Sequence, residues 1–197
     1  MYQINDSYIT LKIGKGYNKV LSNENRQPHY TRPNEVYING NKQSSVNYYY
    51  TFTQPENTVK LVWKYTVTNC LCMFSYCGAI IEMDLSHFQT SSVGDMGNMF
   101  CGCSSLKSID LSNINTVRVE VMKEIFKGCT SLTTLDLSNF NVRSVKNMGN
   151  MFTNCKSLKT LNLNSFFPQS AQYVDNLLKN WNPCIRYILQ ILGQQMF

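Results

Sequence analysis

DLSNINTVRVEVMKEIFKGCTSLTTL, residues 110–135, superposes without a gap on two neighbours. These are DLSHFQTSSVGDMGNMFCGCSSLKSI (84–109) and DLSNFNVRSVKNMGNMFTNCKSLKTL (136–161), so the three starts, Asp84, Asp110 and Asp136, are 26 residues apart. A step back from Phe100 and Cys103 lands on Met73-Phe74 and Cys77. A step forward from Asp136 lands on Asn162, with Leu177 and Leu178 replacing the Met-Phe pair. So many columns agreeing at one period define a repeat architecture.

The columns assign the inward faces. Leu106, Ile109 and Leu111 recur as Leu132, Leu135 and Leu137, then as Leu158, Leu161 and Leu163. This spacing predicts a short strand with one side buried. Phe88, Ile114, Phe140 and Phe166 form a second inward column. Val93, Met96, Met99 and Phe100 recur as Val119, Met122, Ile125 and Phe126, and as Val145, Met148, Met151 and Phe152. Offsets of three, three and one predict one face of a short helix, with Ser92 and Ser144 placed as N-caps. One such unit cannot bury both apolar faces, whereas stacked units share a core.

The stretches MFCGCSSLKSIDLSNI, IFKGCTSLTTLDLSNF and MFTNCKSLKTLNLNSF resemble the BspA-like leucine-rich repeat surface proteins. Repeats of that family read M-F-x-x-C-x-S-L-x-x-L-D-L-S-x-F, followed by a Thr/Ser-Val-x-x-Met stretch, and the resemblance covers about residues 70–165. It implies a cell-surface or secreted interaction protein of the adhesin type, without enzymatic activity. The expected fold class is α/β: a short leucine-rich-repeat solenoid, parallel strand plus short helix per coil, with a small N-terminal β cap. The expected divisions are 1–57 for that cap or module, 58–165 for about four repeats, and 166–197 for a degenerate repeat with a helical C-terminal cap.

The ends lack the columns. YITLKI and VNYYYTF alternate like strands, and Asn39-Gly40 in VYINGNKQ suits a tight hairpin turn. The Tyr-rich segment reads as a cap or, alternatively, as a binding module of its own. At the far end Asn182-Pro183 opens a predicted helix, with Ile185, Ile188, Leu189 and Leu192 on one face and Gly193 as its stop. The opening MYQINDSYITLKIGKGY shows no apolar h-region, and Asn5-Asp6-Ser7 is a lone glycosylation sequon.

Composition bounds the partners. Charged residues make up only 15% of the 197, and the net charge of +6 is dispersed. Residues 1–64 hold eight Lys and Arg against four acids, and 65–165 hold eight against seven. Without a Lys/Arg run, a nucleic-acid or anionic-membrane partner is not expected. Nor does any apolar stretch reach spanning length.

Cys77, Cys103, Cys129 and Cys155 occupy one repeat position and read as core thiols. Cys70, Cys72, Cys101 and Cys184 lie off it, and C-x-C-x₄-C at 70–77 is not a zinc spacing. Neither a metal nor a cofactor is expected. His29 and His87 are the only histidines, and the chain has no G-x-S-x-G, phosphate loop or H-E-x-x-H. An active site would have to gather N-terminal residues such as His29 and Glu35, so the expectation is a protein that is not an enzyme.

The polar strand residues carry the functional expectation. Ser108, Asp110 and Ser112, with Thr134, Asp136, Ser138 and Thr160, should share the concave strand face and bind a protein or carbohydrate ligand, the chain acting as a monomer. Asp84, Asp110 and Asp136 should stack there. Their like charges need hydrogen bonds from nearby Ser or turn amides, or else a bound cation or basic ligand. The alternative is a truncated or purely structural repeat protein with no ligand.

Overall fold

The computed structural model describes residues 7–23, 32–164, 166 and 168–177. His29, Cys184 and the predicted helix after Asn182 lie outside them. The described residues hold eight strands and no helix: β1 (Ser7–Lys19), β2 (Glu35–Ile38), β3 (Asn41–Lys42), β4 (Tyr49–Trp63), β5 (Ile80–Asp84), β6 (Ser108–Asp110), β7 (Thr134–Asp136) and β8 (Thr160–Asn162). A mixed six-stranded sheet runs β3-β2-β4-β1-β5-β6, and β7 and β8 form a small second sheet.

This corrects the expected fold class. The chain is not an α/β solenoid of strand-plus-helix leucine-rich repeats, because the segments read as helices are successive turns. Ser92 and Ser144 therefore have no helix to cap. The hydrogen bonds give the physical reason. In an α-helix every amide donates to the carbonyl four residues back. Here alternate amides do two different jobs. Met99, Cys101 and Cys103 donate three residues back to Met96, Asn98 and Phe100 at 3.1–3.2 Å. Between them Met96, Asn98, Phe100 and Gly102 donate outward to Val121, Lys123, Ile125 and Lys127 at 2.7–3.0 Å.

The pattern recurs from Cys70 to Tyr76 and from Met122 to Gly128. Each such segment needs two left-handed residues: Cys72 and Tyr76, Asn98 and Gly102, Glu124 and Gly128, Asn150 and Asn154. Asn and Gly accept that conformation most readily.

The 26-residue period survives as the step of parallel pairing. Glu82, Met83 and Asp84 pair with Ser108, Ile109 and Asp110, and Thr134, Leu135 and Asp136 pair with Thr160, Leu161 and Asn162. Isolated bridges link Asn69 to Asp95, Val121, Asn147 and Tyr173 in turn. Inside the stack Phe74, Phe100, Phe126 and Phe152 lie face over face, with centroids 6.0, 5.5 and 6.0 Å apart. Leu106, Leu132, Leu158, Phe88, Ile114, Phe140 and Phe166 are buried with them.

The N-terminal strands belong to the same sheet. β1 pairs antiparallel with β4 over Ser7–Lys19 and also with β5, so it closes the edge of the first parallel strand. β4 runs through residues 57 and 58, across the expected division of the chain. Outward residues alternate with buried Ile9, Leu11, Ile13, Val59 and Leu61. Trp63 is buried against Phe88, with centroids 4.9 Å apart. Asn39 and Gly40 both have positive φ and turn β2 into β3, the geometry a two-residue hairpin needs.

Gly102 shows how tightly the turn stack is closed. Its φ is +71°, and a Cβ there would stand 2.6 Å from Cδ1 of Tyr76, whereas at Gly128 (φ +74°) it would stand 3.5 Å from Gly102. Gly128→Ala should lower stability by about 1–2 kcal/mol, the cost of a left-handed Cβ. Gly102→Ala should cost more. Adding Tyr76→Ala should bring the Gly102→Ala cost down to that of Gly128→Ala. Urea midpoints of the four variants check this, and equal costs at the two glycines with Tyr76 intact would refute the steric account.

Candidate functional site: the outward strand face

The candidate residues lie on the side of the strands opposite the core. Ser108 and Asp110 flank Ile109 on β6, Thr134 and Asp136 flank buried Leu135 on β7, and Thr160 begins β8. Ser112 and Ser138 follow in the turns. All seven are exposed except the half-buried Ser138.

Each strand-end carboxylate has a local duty. Oδ1 of Asp84, Asp110 and Asp136 accepts the amide of Ser86, Ser112 and Ser138 at 2.8, 2.9 and 2.8 Å. Asn162 does the same for Asn164 at 3.2 Å. This turn, in which a side-chain oxygen takes the amide two residues on, is a standard use of Asp and Asn. Bonds from Ser138, through hydroxyl and amide, hold the Asp136 carboxyl below its usual range, helped by Asn162.

Two further columns repeat the device. Oδ1 of Asn69, Asp95 and Asn147 accepts the amides of Leu71, Gly97 and Gly149 at 2.7, 2.7 and 3.1 Å. Asn115 and Asn141 accept Val117 and Arg143, both at 3.1 Å. The hydroxyl of Thr90 donates to the Asn115 carbonyl and accepts its amide, and Thr116 does the same to Asn141. Sγ of Cys103, Cys129 and Cys155 donates to the carbonyls of Phe74, Phe100 and Phe126 at 3.1–3.2 Å. Burial raises the Cys103 and Cys129 thiols well above their ordinary range. They are core groups.

The face extends further than the repeat columns. Tyr8, Thr10 and Lys12 of β1, and Thr58 and Lys60 of β4, are outward and in register with it. Three shallow concavities follow one another along it. One of about 550 Å³ is lined by Thr10, Glu35, Tyr37, Thr58 and Lys60. A second, about 450 Å³, lies between Lys12, Glu82, Asp84, Ser108 and Asp110. The third, about 420 Å³, lies between Asp110, Ser112, Asp136, Ser138 and Asn139. No repeat pattern marks Thr10, Lys12 or Lys60. Strand alternation along residues 8–13 and 59–67 was their only signal.

Glu35 is fully engaged. Lys42 and Lys64 donate to Oε1 at 2.7 and 2.6 Å, and the Tyr37 hydroxyl donates to Oε2 at 2.7 Å. Those bonds, Lys42 first, pull its carboxyl down to about 2. Lys60 stands 3.8 Å over the Tyr8 ring, which also stacks on His87 with centroids 4.5 Å apart. Among the described residues no three His, Cys, Asp or Glu side chains gather as a metal site, and no helix is long and apolar enough to cross a membrane.

Over the described residues these features define a helix-free β architecture whose 26-residue units stack in parallel behind a polar strand face. The model of the family described as "Mycoplasma protein of unknown function, DUF285" matches residues 68–184, more than half of the chain, and the chain belongs to that family. No curated protein and no solved structure matches it. The family match, with the helix-free sheet, overturns the BspA-like leucine-rich-repeat resemblance. The cell-surface or secreted location rested on that resemblance alone.

Asp95 gives the pH prediction. Burial raises its pKa from 3.8, against the lowering effect of the Gly97 amide. The native state therefore holds this proton more tightly than the unfolded chain does. The contribution to stability is fully present below 3.8 and is lost as pH rises through the raised native value. Asn69 and Asn147 show that an amide serves the same turn. Asp95→Asn should therefore raise the urea midpoint at pH 7, with the gain shrinking to nothing in acid. A gain that is independent of pH would contradict this origin.

Proposed function

We propose that this chain is a non-enzymatic interaction protein that holds a protein or glycan partner on its strand face. Ser108, Asp110, Ser112, Thr134, Asp136, Ser138 and Thr160 carry the contact, extended by Thr10, Lys60 and Asp84. The main support is the continuity of that face. Polar outward side chains stand in register across neighbouring strands, and three open concavities lie along them. Stacked units favour partners that contact an extended surface at several points.

A purely structural role is the second reading. Its support is that one oxygen of each strand-end aspartate is committed to a turn amide. The two readings differ in what the negative charge does.

Asp110→Asn with Asp136→Asn separates them, because Asn162 makes the same turn without a charge. On glycan and peptide arrays the double variant should lose at least about tenfold in binding, roughly 1.4 kcal/mol. Its thermal midpoint should stay close to that of the parent. An array ligand bound equally by parent and variant would sink the strand-face reading, and a parent that binds nothing would leave the structural one.

A further inference from the structure

The strand face carries uncompensated charge of both signs, arranged in one row. Register pairs Tyr37 with Lys60, Lys60 with Thr10, Thr10 with Asp84, and Asp84 with Asp110. Asp136 continues the column on β7, beside Asn162. The described glutamates, by contrast, are all neutralised. Glu35, Glu56, Glu82, Glu120 and Glu124 each lie 2.6–3.8 Å from a lysine ammonium. Asp84, Asp110 and Asp136 have no such partner among the described residues, and neither does Lys60, whose ammonium lies 3.8 Å over the Tyr8 ring.

Lys60 and the aspartates do not neutralise each other because β1 lies between them. Lys60 and Asp84 are two strand spacings apart, about 10 Å, and Lys60 and Asp110 are three, about 14 Å. Asp84 and Asp110 are direct neighbours of like charge, an arrangement that a cationic group relieves.

Taking the face as the binding surface proposed above, we infer that its partner is an extended protein segment crossing the strands. A carboxylate of the segment sits at Lys60, and a basic side chain sits at Asp84 and Asp110. At roughly 3.3 Å per residue the two charges are three to four positions apart, and side-chain alternation along an extended segment selects four. An anionic polysaccharide or nucleic acid satisfies Lys60 but is repelled by the aspartate row. A neutral glycan leaves both charges uncompensated. A segment of mixed charge is the partner that matches both ends.

Two peptides of one composition test this. Acetyl-Gly-Glu-Ser-Ser-Lys-Arg-Gly-amide has its acid three and four positions from its bases. Acetyl-Gly-Ser-Lys-Glu-Arg-Ser-Gly-amide has them adjacent. Titrated into the whole chain at low salt, the spaced peptide should bind about fivefold more tightly, the scale of one exposed ion pair. Lys60→Gln and Asp110→Asn should each abolish the difference while leaving thermal unfolding unchanged, and salt should erode it. Equal affinities, or a preference that survives Lys60→Gln, would overturn the inference. If array glycans depend on Asp110 and Asp136 while the peptides are not distinguished, the partner class falls and the strand-face reading stands. If neither arrays nor peptides respond to those aspartates, both fall.

Discussion

The structure depends on where the amides of its turn segments find acceptors. Buried backbone donors must be paired, and an α-helix would pair them internally. Here half of them reach the next unit instead: Cys70, Cys72, Phe74 and Tyr76 donate to Asp95, Gly97, Met99 and Cys101. Each unit is therefore unsatisfied without its successor. The constant 25-residue offset of these bonds accords with a repeat that runs without a gap from Asp84 to Leu161. The same register stacks the four Phe rings and aligns the Cys103, Cys129 and Cys155 thiols with a Phe carbonyl from the preceding unit. The strands, at three residues each from β6 onward, contribute the smaller part of this bonding.

The first unit has no predecessor, and the N-terminal region answers that need with antiparallel strands. β1 pairs its edge residues with β5, the Ser7 hydroxyl accepts the Gln89 amide at 2.9 Å, and Trp63 covers Phe88. Closing the stack this way also enlarges its outward face, since alternation along β1 and β4 places Thr10, Lys12, Thr58 and Lys60 beside the strands of the repeats.

The repeat period and the buried columns were legible in the sequence because they are properties of single positions recurring at a fixed step. The helix was misread because Val93, Met96, Met99 and Phe100 have the spacing of a helical face, and consecutive turns bury the same spacing. The corrective signal was present in Asn98 with Gly102 and in Asn150 with Asn154, left-handed formers recurring four apart, where a helix disfavours them. The seven strand-face candidates were placed by alternation together with the repeat columns, whereas Lys60 and Thr10 were not singled out. Their position depends on the β1–β4–β5 register, a long-range pairing that no local pattern encodes.

The aspartates at 84, 110 and 136 pose the sharper question, because the turns do not require their charge. Asn69, Asn115, Asn141, Asn147 and Asn162 accept the same amide two residues on with a neutral oxygen. Placing ionised carboxylates in register on adjacent strands costs repulsion that asparagine would avoid. Were turn formation the column's whole purpose, asparagine would serve at all four strand ends, yet it stands only at the last. At Asp84 and Asp110 the negative charge is thus not needed by the turn, and it lies across β1 from Lys60, which also lacks a counter-charge among the described residues. A surface selected for stability alone gains from pairing such groups, as the glutamates do. One that must accept an oppositely charged segment has to leave them open.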